Sequence, residues 1–69
     1  MRPLSGKDVC EILMRNGFIQ VRQRGSHIIM QKQESGRTTT VPVPNHKELR
    51  AGTLRSIVRQ SGLQKTDFE

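Results

Sequence analysis

"FIQVRQRGSHIIMQKQESGRTTTVPV", residues 18–43, contains three β-branched or apolar runs parted by two short breaks, and the way these runs pair decides the fold. In the first run Ile19 and Val21 alternate with Phe18, Gln20, Arg22 and Arg24. That period places Ile19 and Val21 on a buried face and the other four on an open one. Gly25-Ser26 breaks the run, and "HIIMQK" and "RTTTVPV" then read as a second and a third strand joined by a hairpin. If Ile28 and Met30 share the buried face with Thr39 and Val41, paired residue numbers sum to an odd value. The connecting loop is then even in length, which the four residues Gln33 to Gly36 satisfy. On this parity His27 points to the open face beside Arg22 and Arg24. Pro42 and Pro44 cannot donate to a ladder and are expected to end the third strand.

Helical patterns flank the strands. In "LSGKDVCEILMRNGF" Ser5 is a good N-cap, Asp8 three residues later makes a capping-box pair, and Asn16-Gly17 is a stop. Val9, Ile12 and Leu13 form one stripe of a helix near residues 5–16. Leu54, Ile57 and Val58 form the stripe of a second helix near 51–61, closed by Gly62. Asn45 to Leu49 read as a short connection, and Leu63 and Phe68 of the tail are expected to fold back as one helical turn. Helix, strand, strand, strand, helix over residues 1–69 make a single α+β domain. Its three-stranded antiparallel sheet carries both helices on one face, the double-stranded-RNA-binding-like arrangement, and the other face is open.

A chain of 69 residues buries only about 60% of its unfolded surface, so chemistry is expected on an open face covered by a large ligand. Twelve Lys and Arg against six Asp and Glu give a net charge of +6, a balance that favours a polyanion. The only cysteine, Cys10, lies in a helical pattern, which leaves no disulfide and no thiolate pair for zinc. Apolar runs no longer than "ILM" or "IIM" give no membrane span or signal segment, so the chain reads as soluble and cytoplasmic.

His27 is the candidate with chemistry. RNA carries its own nucleophile, the 2′-hydroxyl, so cleavage needs a group to move a proton and cations to stabilise a charged phosphorane. An imidazole can take or give a proton near neutral pH, and Arg22 and Arg24 supply cations on the same face. Six scattered acids do not suggest the carboxylate cluster of a metal-dependent nuclease, and no cofactor is expected. Ser26 beside His27 is not its partner nucleophile, because adjacent strand residues point to opposite faces. With Gly25 it shapes the turn or bonds a phosphate. Lys47 and Arg50 stand at or before the start of the second helix, where positive charge opposes the helix dipole, so with Arg55 they are candidate phosphate contacts. His46 reads as a solvated loop residue. A purely non-catalytic reader of RNA shape would use the same basic face, and an inactive relative acting only as a protein-binding partner is a third possibility.

"SGKDVCEILMRNGF", "RQRGSH", "TVPVP", "KELRAGTLRSIVRQSGL" and "DFE", in this order from Ser5 to Phe68, resemble the HicA family of toxin-antitoxin systems. The resemblance implies a double-stranded-RNA-binding-like fold, ribosome-independent cleavage of mRNA, and neutralisation by a HicB antitoxin. It also implies a catalytic role for His27 through its Gly-Ser-His context. Many members carry a histidine soon after the Val-Pro pair. Here Pro44 takes that place, and His46 follows a little later.

Overall fold

Ser5 opens the first helix, α1 (Gly6–Arg15), by a reciprocal cap. Its hydroxyl accepts from the Asp8 N–H at 3.0 Å, and the Asp8 carboxylate accepts from the Ser5 N–H at 2.9 Å. The computed structural model describes residues 2–69. Leu4 before the cap and Val9 in the first turn are both buried, the positions of a hydrophobic staple. The helix ends in a Schellman motif at Gly17, φ +94°, where the Gly17 N–H donates to Met14 and the Phe18 N–H donates to Leu13. That motif also brings the apolar Phe18 back onto Leu13, and both are buried in the core.

Burial of Phe18 reverses the parity expected for the first strand. In β1 (Ile19–Arg24) Ile19 is 63% exposed and Val21 39% exposed, and Ile19 lies opposite Gln31 on the open face. An unbroken alternation from Phe18 would turn Arg22 and Arg24 toward the helices. It is broken at Val21, which has no partner in the ladder: Gln20 pairs with Met30, and the next pair is Arg22 with Ile29. This bulge returns Arg22 and Arg24 to the open face.

β2 (His27–Glu34) and β3 (Arg37–Pro44) pair antiparallel, with Met30 opposite Val41 and Ile28 opposite Val43, so the numbers sum to an odd value as expected. The loop is shorter than the four residues expected. Glu34 pairs with Arg37, leaving Ser35-Gly36 as a two-residue turn with φ +53° and +76°, the primed geometry that matches strand twist. Pro42 does not end the strand but lies within it, opposite Ile29, whereas Pro44, opposite His27, is its last residue, as expected. β3 is an edge strand in the order β1-β2-β3, and alternate residues of an edge can lack an N–H without losing a ladder bond.

α1 packs on all three strands, and α2 (Ala51–Ser61) packs on β3, consistent with an α+β, double-stranded-RNA-binding-like fold. Leu49 and Leu54 repeat the staple at the start of α2, and Gly62 closes it at φ +74°. Ile57 is buried as expected, while Val58 is only half-buried at the margin. A 3-10 turn, Lys65–Phe68, touches both helices and inserts a fully buried Phe68.

A candidate nucleic-acid site on the open sheet face

Gly25-Ser26 is the two-residue turn between β1 and β2. Gly25 takes φ +57° and Ser26 has no positive φ, the pattern of a type II′ hairpin. The turn makes Arg24 the cross-strand partner of His27, so the two side chains leave the same face as direct neighbours. The Ser26 carbonyl accepts from the Asn45 N–H at 2.7 Å, the His46 carbonyl accepts from Gly6 at 2.8 Å, and Leu4 accepts from Leu49 at 2.8 Å. These bonds tie the His27 turn to the end of β3 and to the start of α1. Gly6 must stay small there, because a Cβ would collide with the Pro44 carbonyl oxygen.

The register builds two rows across the open face: Arg24, His27 and Pro44, and next to them Arg22, Ile29 and Pro42. Ile29 is 6% exposed yet lies outside the cluster beneath the helices. It is the apolar floor of the open face. One groove runs over it between Arg24, Gly25, His27 and Pro42. A second groove starts at His27 and Pro44 and continues past Arg50 along one side of α2.

The other candidates separate. Lys47 and His46 line a groove with Ser5 and Lys7 near the start of α1, and Arg55 lies with Lys65 on another side of α2. His27, Arg24, Gly25 and Arg50 therefore border one continuous region, Arg22 stands in the adjacent row, and Lys47 and Arg55 lie apart. Thr53, Ser56 and Gln60, which sequence reasoning passed over, line the second groove. Their spacing of i, i+3 and i+7 was the available signal.

Among the described residues the ion pairs are Arg15–Glu11 at 3.5 Å and Lys32–Glu34 at 3.8 Å, and neither engages Arg22, Arg24 or Arg50. No three His, Cys, Asp or Glu side chains come together among the described residues. No described helix is long and apolar enough to cross a membrane.

The sequence profile of the family described as "HicA toxin of bacterial toxin-antitoxin" matches residues 6–63, a span that runs from the start of α1 to just past α2. No curated protein matches the chain. With the match covering every strand and both α-helices, the chain belongs to the HicA family of toxins of bacterial toxin-antitoxin systems.

Proposed function

We propose that this toxin is an endoribonuclease that cuts mRNA with His27 as its proton-transfer group and without a metal ion. The observation that carries the proposal is the direct cross-strand pairing of His27 with Arg24 on an open, basic face. The imidazole takes the proton of the 2′-hydroxyl as that oxygen bonds to phosphorus. The bond from phosphorus to the 5′-oxygen breaks, and the leaving oxygen takes a proton back from the imidazolium or from water. Arg24, with Arg22 and Arg50 nearby, offsets the negative charge that develops on the phosphorane. Products are a 2′,3′-cyclic phosphate, open to later hydrolysis, and a 5′-hydroxyl. A HicB-like antitoxin is the protein partner that the family implies.

Purified wild-type and His27→Ala proteins should be compared on a long RNA, each with and without EDTA. Loss of the imidazole is expected to lower cleavage by about 10²- to 10⁴-fold. EDTA should have no effect, and growth arrest on induction should disappear with the substitution. Activity retained by His27→Ala would remove His27 from the chemistry, leaving a binding role for the face. Inhibition by EDTA that magnesium reverses would replace the metal-free mechanism.

A further inference from the structure

Both grooves meet at His27 and share Pro42, but different residues wall them. Over Ile29 the floor is apolar, with Arg24 at its border and Arg22 in the adjoining row. Along α2 the wall is polar: Thr53, Ser56 and Gln60 lie on one helix face, next to the buried stripe of Leu54, Ile57 and Ser61. Gln60 Nε2 donates to Ser56 Oγ at 3.2 Å, and Arg59 donates to the same oxygen at 3.5 Å. With Oγ already accepting, the Ser56 hydroxyl proton is left to donate outward. The Gln60 amide is held in place, and its carbonyl oxygen is left to accept. A donor and an acceptor held side by side match the edge of a nucleobase.

We propose that Ser56 and Gln60 read the base of the nucleotide on one side of the scissile phosphodiester, and that the substrate strand enters unpaired. The inference rests on the ribonuclease reading above. In an A-form duplex the Watson–Crick edges are taken up by pairing and the deep, narrow major groove is closed to side chains, so only an unpaired strand can lay a Watson–Crick edge against the α2 wall. The nucleotide on the other side of His27 lies over Ile29 and Pro42, where an apolar surface and an arginine hold any base alike. Base preference is therefore one-sided.

The test titrates short labelled RNA strands, varied at one base, against full-length His27→Ala protein, so that binding is read without cleavage. The background protein is expected to rank the four bases over about a tenfold range at one position. Gln60→Ala and Ser56→Ala, both in the His27→Ala background, should collapse that ranking to about twofold. Arg24→Gln should weaken all strands alike. Thermal melts confirm that each variant is folded. Unchanged ranking in both α2 variants overturns the inference, as does a duplex bound as tightly as the single strand. Variants that keep the base ranking but lose a protein partner would assign the wall to that partner instead. Ranked binding by a chain whose wild type cuts no RNA would sink only the ribonuclease reading, whereas no RNA binding at all would sink both.

Discussion

Arg24 and His27 face each other across the Gly25-Ser26 turn, and His27 is in turn opposite Pro44, so one row of the open face holds a cation, an imidazole and an apolar ring. Two residues of turn set this relationship. A cation held beside the imidazole by strand register costs less ordering entropy than one on a loop, which suits a site built on so small a sheet.

Gly25→Ala should disturb the site more than its exposed position suggests. Nothing lies within 4 Å of an added Cβ, but φ is +57°, so the cost is backbone strain of about 1–2 kcal/mol. That corresponds to a fall in Tm of roughly 4–16 °C for a domain of this size. Calorimetry would measure the fall. A larger proportional loss of RNA cleavage at a temperature where the variant is still folded would show that the turn holds His27 against Arg24. Cleavage that survives intact would mean that the pairing is not needed.

Neutralising Arg22 and Arg24 together should weaken RNA binding and make it less dependent on salt, by about one unit of slope for each phosphate that is no longer neutralised. If the antitoxin covers the same row, the double variant should also associate with it more slowly at low salt. Affinities for both ligands across a salt series, with RNA added as competitor, are the measurement. Ready formation of a complex holding toxin, antitoxin and RNA together would exclude occlusion.

Gly6→Ala and Gly52→Ala should have opposite signs, although both glycines lie in the first turn of a helix. At Gly6 the new methyl meets the Pro44 carbonyl, and the backbone there must shift before the chain can pack, at a cost of about 1–3 kcal/mol. At Gly52 nothing lies within 4 Å and φ is helical, so alanine should stabilise by up to about 1 kcal/mol. Denaturant unfolding of the two variants decides it.

Asp8 should contribute to stability above acid pH only. The Ser5 N–H and then the Ser5 hydroxyl hold its carboxyl below the ordinary range, with a smaller effect from Arg2. A group whose folded value is depressed stabilises above its unfolded value, near pH 4, and loses that contribution as the pH falls through the folded value. Melting Asp8→Asn against wild type should therefore show a gap at neutral pH that narrows below about pH 4. A gap independent of pH would assign the effect to hydrogen bonding alone.

Burial pushes the Cys10 thiol up from its ordinary value, and the residue is only 6% exposed. Reaction with a disulfide reagent at neutral pH should be slow in the native protein and fast in denaturant, because the thiolate is the reactive form. Rapid native reaction would reveal opening of α1 from the sheet. The same reagent would also probe α1 in the variants above.

Much of the fold was legible because its signals are local. Ser5 and Asp8 announce a cap, Gly17 and Gly62 announce helix ends, and the odd register of β2 with β3 follows from requiring Met30 and Val41 on one face. That parity also sufficed to turn His27 outward. β1 was not legible in the same way. Alternation alone put Ile19 and Val21 inside, whereas the Schellman turn had already buried Phe18, and the bulge at Val21 then reset the strand. Arg22 and Arg24 reached the open face by two reversals that cancel. Lys47, Arg50 and Arg55 looked like one basic cluster in the sequence, but Arg50 is the extended N-cap residue of α2 and borders the His27 groove, Arg55 leaves the helix on another side, and Lys47 stays with the start of α1. The sequence determined which elements form and the parity of β2 with β3, because backbone preference and side-chain period act over a few residues. Tertiary structure alone decided that α2 lines a groove with His27, because that placement depends on the helix packing on β3 and on the bonds that tie Ser26 to Asn45 and Leu4 to Leu49 across the whole chain.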